Sequence, residues 1–169
     1  NWNSASLKTA ESNLNGEIVE EKKVVVKTHL KGFEKKLFMK GAEIYEKEGH
    51  CGTCHQHDGN GLPAAGFPPL AGTKWALGDE ERLIKLTLKG LMGPIEVKGK
   101  KFPGLVPMTP FEGMLGDEEV AAVLTYVRNS FGNKASAIKP GAVKVVRDKI
   151  KSKVGFYSPE ELLKAHPHK

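Results

Sequence analysis

Apolar residues return at helical intervals along most of this chain. Leu37, Gly41 and Tyr45 stand four apart, with Phe38 and Ile44 beside them, which predicts a helix over about 33–48. A glycine in mid-helix costs about 1 kcal/mol against alanine. Gly41 is explained if a second helix crosses closely there, and is otherwise incidental. Leu83, Ile84, Leu86, Leu88 and Leu91 give a second helix near 79–91, ending at Gly90. Val120, Val123, Leu124 and Val127 give a third over about 117–130, with Gly116 at its cap. Both begin with acidic turns, Asp79-Glu80-Glu81 and Asp117-Glu118-Glu119, where negative charge suits the helix dipole. The stretches 56–78 and 92–115 between them are rich in Gly and Pro and read as irregular.

Two further helices follow Pro140-Gly141. One is basic and covers about 142–152. The other, near 159–165, carries Ser158 as cap, Pro159 at the first helical position and Glu161 three residues after the serine. Tyr157 and Leu162 fit a hydrophobic staple around that cap, and Phe156 with Tyr157 suggests that this tail docks, on the preceding residues or on a larger parent. Residues 1–32 are polar and weakly periodic, with one β-prone run at Val24, Val25 and Val26, and read as a leader or linker.

The length of 169 residues suits one domain with extensions, or two very small ones. No apolar run approaches a membrane span. The chain starts at Asn1 without methionine, so a processed protein or an excised segment is expected. The net charge of +6 is unevenly spread: residues 1–32 carry +1, residues 33–133 carry −1, and residues 134–169 carry +6. No helix-turn-helix, zinc finger or aromatic platform accompanies the lysines, so nucleic acid is not the expected partner. The tail charge is either a solvated helix face or a docking patch for acidic partners, and Lys98, Lys100 and Lys101 form a smaller cluster.

Both cysteines fall in Cys51-Gly52-Thr53-Cys54-His55, the attachment pattern of c-type haem. Two thiols three positions apart on one turn can each add across a haem vinyl group. The histidine after the second thiol then lies beneath the porphyrin and can ligate iron. A thioredoxin-type pair needs a strand leading into the motif, whereas a helix-like stretch precedes it here. A zinc site needs further ligands, and only His50 and His57 are near, crowding the same turn. One covalently bound haem c is therefore expected. Haem is joined to such cysteines outside the bacterial cytoplasm, or on the equivalent face of an organelle, so a periplasmic or extracytoplasmic location follows.

A low-spin carrier needs a sixth iron ligand, and methionine raises the potential relative to nitrogen. Met39 precedes the motif on a helix, and Met114 sits just before the Gly116 cap; packing is the default for both. Met92, a histidine or an open site are the alternatives to the favoured Met108, which stands between Pro107 and Pro110. Those prolines stiffen the backbone and suit a loop laid across the distal haem face. His29, His50, His57, His166 and His168 have polar neighbours and read as surface residues. His55 needs an acceptor for its second ring N–H, and the carbonyl of Pro68 in Phe67-Pro68-Pro69-Leu70 is the candidate. Leu70-Ala71-Gly72 then packs against the haem ring. Trp75 lines a haem edge, donates to a propionate, or is simply buried.

From Gly41 and Tyr45 through the Cys-x-x-Cys-His motif, Pro68-Pro69-Leu70-Ala71-Gly72, Gly93-Pro94-Ile95-Glu96-Val97-Lys98-Gly99, Met108 with Phe111 and the helix Asp117–Arg128, the chain resembles class I monohaem cytochromes c over about 37–133. The Gly-Pro-Ile segment resembles the subgroup found with periplasmic dehydrogenases and oxidases. The resemblance implies an all-α fold, with first and last helices crossing near Gly41 and Tyr126 around one haem. It also implies His55 as proximal and Met108 as distal iron ligand. Thr109 departs from the family, where proline often follows the methionine. Residues 134–169 lie outside the common core and resemble extensions of cytochrome domains joined to larger oxidoreductases. The expected organisation is thus a leader (1–32), a haem domain (33–133) and a basic helical extension (134–169).

The expected function is electron transfer without substrate chemistry, between a donor dehydrogenase and an acceptor oxidase or carrier. Two other readings stand beside it: a catalytic or ligand-sensing haem, and the electron-accepting module of a larger dehydrogenase.

Overall fold

The computed structural model of the protein describes residues 27–47 and 49–168. The β-prone run at Val24–Val26 lies outside these residues. The helix α1 (Gly32–Glu46) packs most extensively on α5 (Asp117–Asn129). On α1 the buried face is Leu37, Phe38, Gly41, Ile44 and Tyr45, a 3.6-residue stripe. Gly41 sits at the crossing. A Cβ there would overlap the Ala122 carbonyl and stand 2.8 Å from the Tyr126 Cβ, so only glycine admits this approach. Tyr126 is ringed by Phe38 (5.3 Å between centroids), Tyr45 (5.3 Å) and Phe131 (5.6 Å). Tilted and edge-on aromatic pairs of this kind add about 0.5–1.5 kcal/mol each beyond their burial. The first-on-last helix crossing implied by the family resemblance is present.

Beyond α1, the motif forms the short helix α2 (Cys51–His55), and the irregular stretch after it contains a 3₁₀ turn at Pro63–Ala65 and the helix α3 (Lys74–Leu77). Thr73 caps α3 by accepting from the Ala76 N–H at 3.2 Å. The helix α4 (Glu80–Lys89) is capped by the Asp79 carboxylate, which accepts from the Arg82 N–H at 2.8 Å.

The fold is mostly helical, and a two-stranded hairpin adds to it where an irregular stretch was expected. Strands β1 (Ile95–Val97) and β2 (Lys100–Phe102) pair antiparallel, with Ile95 opposite Phe102. Lys98 (φ 51°) and Gly99 (φ 75°) make the turn, and two successive positive φ values match the right-handed twist of a tight hairpin. The Gly and Pro content on either side of this eight-residue unit masks its alternation.

Residues after 133 close back onto the core. Helix α6 (Pro140–Lys149) packs on α4 and α5, and α7 (Pro159–Ala165) packs on α4. Ile138, Val143, Val146, Ile150 and Leu162 are all buried in that shared core. Ser158 and Glu161 form the capping box read from the sequence, with bonds of 3.1 and 3.0 Å. Much of the tail's positive charge is paired: Arg147 with Asp117 (2.7 Å), Lys149 with Glu81 (3.3 Å) and Lys153 with Glu161 (3.0 Å).

Candidate haem site

Helix α2 is little more than one turn, so Cys51 and Cys54, three apart, share a face. His50 (φ 47°) and Gln56 (φ 62°) bound it, both in the left-handed region that non-glycine residues seldom adopt. The Tyr45 hydroxyl donates to the Gln56 carbonyl at 2.8 Å, and the Gln56 N–H donates to the Gly52 carbonyl at 2.9 Å. The Gln56 end of the motif is thereby held by Tyr45 of the buried face of α1. The two sulfurs are not joined to each other. Burial pushes the Cys51 thiol up to about 12, with Cys54 and Glu46 adding to the effect. Among the described residues no three His, Cys, Asp or Glu side chains are placed to share a metal ion. His57 instead pairs with Glu46 at 2.6 Å.

The Nδ1 of His55 lies 2.8 Å from the Pro68 carbonyl oxygen. A carbonyl only accepts, so Nδ1 carries the proton and Nε2 keeps its lone pair. Burial moves the imidazole below its ordinary pKa, and the bond to Pro68 works against that shift. The outcome is a neutral ring with a fixed tautomer, the form that ligates metals.

Gly61 and Gly59, which sequence reasoning missed, bring the Pro68 carbonyl to this place. Gly61 (φ +66°) donates to the His55 carbonyl at 2.9 Å, and a Cβ on it would meet the Phe67 and Pro68 backbone at 2.5–2.6 Å. The Gly59 carbonyl accepts from Leu70 (2.7 Å) and Ala71 (3.0 Å). Asn133 was missed as well. Its amide ties the Gly72 N–H (2.7 Å) and the Leu70 carbonyl to the end of α5. The glycines leave a signal in the run Asp58-Gly59-Asn60-Gly61; Asn133 leaves none.

Cys51, His55, Pro68 and Met108 line both chambers of one cleft. The outer chamber has a volume of about 320 Å³ and also takes in Cys54. The inner one, about 90 Å³, is walled by aliphatic side chains from α4, α5 and the hairpin and by the aromatic Trp75 and Phe111. Ile95, Val97 and Phe102 of the hairpin therefore belong to the site, although the sequence reading left them in a loop. Met92 is 51% exposed and lines neither chamber, while Met114, 56% exposed, reaches only the outer rim. Met108 is held by a reciprocal pair with Leu91: its N–H donates at 2.9 Å and its carbonyl accepts at 3.4 Å. Next along the chain, the N–H groups of Phe111 and Glu112 donate at 3.0 Å to the Thr87 and Leu88 carbonyls. These satisfy acceptors that the end of α4 leaves open.

Of the three readings of Trp75, burial holds, and two histidine expectations need correction. Trp75 is a wall of the inner chamber, and its indole N–H donates to the Glu96 carbonyl at 3.1 Å. The hairpin has taken the donor proposed for a propionate. His166 is partly buried, with Nδ1 3.1 Å from Asp79 and Nε2 2.8 Å from the Lys85 ammonium. His168 stands edge-on to Trp75 at 5.1 Å. Their polar sequence neighbours predict surface residues, and the partners that half-bury them are remote in sequence. His29, His50 and His57 are exposed.

The cleft fits a large apolar disc. Two sulfurs and an imidazole lone pair stand at one wall, and none of the buried unpartnered polar atoms among the described residues belongs to its lining. The family model for cytochrome c matches residues 38–131. Cytochrome c-552 of Thermus thermophilus is 40% identical over 129 residues, covering 73% of this chain and 91% of that protein. The cytochrome c subunit of a quinone-dependent alcohol dehydrogenase from Gluconobacter oxydans is 33% identical over 105 residues, 61% of this chain but 20% of that protein. The cytochrome subunit of fructose dehydrogenase from Gluconobacter japonicus is 32% identical over 108 residues, 63% of this chain and 22% of that protein. The chain belongs to the cytochrome c family, with Cys51 and Cys54 as the attachment pair for one covalent haem c.

Proposed function

We propose that this protein passes single electrons through a haem held between His55 and Met108, on the extracytoplasmic side of a membrane, as an electron carrier and not as an enzyme. One observation carries the reading: His55, with its tautomer fixed by Pro68, and Met108, pinned by Leu91, line the same apolar cleft as the attachment cysteines. The bound haem supplies the one-electron iron couple. The chain supplies the rest. His55 offers the Nε2 lone pair, made more basic by the Pro68 bond. Met108 offers a soft sulfur, which favours the reduced state relative to a second nitrogen. The apolar walls exclude water, which disfavours the more highly charged oxidised site and raises the potential further.

The relatives named as subunits of alcohol and fructose dehydrogenases support a dehydrogenase as electron donor and an oxidase or second carrier as acceptor. They support an extracytoplasmic location as well. No helix among the described residues is long and apolar enough to cross a membrane.

The ferric protein is expected to show a methionine–iron charge-transfer band and to bind carbon monoxide slowly when reduced. Met108→Ala should abolish the band and open the iron to external ligands. His55→Ala should yield no stable low-spin holoprotein. Retention of the band in Met108→Ala would remove Met108 from the iron. A high-spin parent protein with rapid carbon monoxide binding would instead favour a catalytic or sensing haem.

A further inference from the structure

The segment that carries Met108 is held by residues from beyond the family match, through Leu91 at its head and directly at its foot. At its head, Leu91 pairs on two edges: antiparallel with Met108 and parallel with Tyr157. The Tyr157 N–H donates to the Gly90 carbonyl at 3.2 Å, and the Met92 N–H donates to the Tyr157 carbonyl at 3.0 Å. Gly90 (φ +74°) lets these strands converge, since a Cβ there would overlap the Met108 carbonyl and meet the Phe156 ring at 2.7 Å. At its foot, Arg147 of α6 donates to the Glu112 carbonyl (2.7 Å), the Leu115 carbonyl (2.8 Å) and the Asp117 carboxylate (2.7 Å). One guanidinium thus closes the end of the distal loop onto the start of α5.

We propose that the C-terminal extension is a strap that governs how firmly Met108 stays on the iron, with Arg147 and the Tyr157 backbone as its positioning groups. The inference rests on the reading of Met108 as distal ligand. An external ligand enters only when the loop swings away, so each bond that ties the loop down lowers the open population. Neither Arg147 nor Tyr157 lines the cleft. They act through the loop backbone.

The test uses holoprotein and imidazole as the competing ligand. Arg147→Gln, which loses the fork to two carbonyls, should bind imidazole about tenfold faster and tighter, given the usual net worth of such bonds. Arg147→Lys, a milder change that keeps the charge but not the fork, should fall between. Tyr157→Pro, which removes the N–H to Gly90, should accelerate binding several-fold. Leu37→Ala in the α1–α5 core should lower the melting temperature without this acceleration, and Lys144→Ala on the exposed face of α6 should change nothing. Strap variants that bind imidazole at the parent rate would overturn the proposal. An equal acceleration in Leu37→Ala would overturn it too, because overall stability would then be the cause. A parent protein without the methionine band would sink the Met108 reading itself, which keeps the two failures apart.

Discussion

At the scale of single residues, the site is governed by where one proton sits. The Pro68 carbonyl holds it on Nδ1 of His55, leaving Nε2 as the only nitrogen able to ligate. That carbonyl is in reach because Gly61 adopts φ +66° and has no side chain in its path. Gly61→Ala should therefore act twice. It should cost about 2–3 kcal/mol of stability, from a strained φ and a backbone clash, read as a lower melting temperature. It should also push the Pro68 carbonyl away and make the imidazole a weaker base, which favours ferrous iron and raises the reduction potential. A stable variant with an unshifted potential would separate Gly61 from His55.

Among the elements, the α1–α5 crossing is the strongest test of the fold. The Ala122 carbonyl occupies the space a Gly41 Cβ would need, and backbone cannot yield as a flexible side chain does. Gly41→Ala gains helix propensity of about 1 kcal/mol, yet should be destabilised overall by about 2–4 kcal/mol from overpacking. Denaturant unfolding checks this, and unchanged stability would mean that the helices separate freely. Helix α7 carries a pH dependence through its capping box. The Ser158 N–H and the Lys153 ammonium hold the Glu161 carboxyl below the usual range. A depressed carboxylate stabilises above its unfolded pKa of about 4.3, and loses that contribution as pH falls through the folded value. Glu161 is half exposed, so the effect is modest. Below about pH 4, the protection of the Leu162 amide, its exchange rate relative to the intrinsic rate at the same pH, should fall, and Glu161→Gln should flatten that response. An identical pH profile in the variant would place the acid sensitivity elsewhere.

Taken as a whole, the molecule builds an apolar cleft from pieces that are individually weak. The hairpin has three residues per strand, too little to persist alone. It persists because Val97 and Phe102 are buried and the Trp75 indole bonds the Glu96 carbonyl. The tail completes the same structure. Arg82 of α4, wholly buried, donates to the His166 carbonyl 84 residues away (2.6 Å) and to the Lys74 carbonyl (2.6 Å). Its guanidinium also lies 5.3 Å from the centre of the Trp75 ring, so one residue links tail, α3 and cavity wall.

By itself, the sequence determined what depends on near neighbours: the helical stripes of α1, α4 and α5, the cap at Ser158, and the two thiols and one histidine of a single turn. Periodicity and capping act within a few residues, so they can be read from a linear string. Only the tertiary structure decided that Met108, and not Met92, lines the cleft, that Trp75 gives its N–H to the hairpin, and that Arg147 grips the distal loop while Tyr157 holds the Gly90–Met92 backbone beside it. Each of these pairs residues that are distant along the chain. Their partners become definite only when burial forces every donor and acceptor to find one.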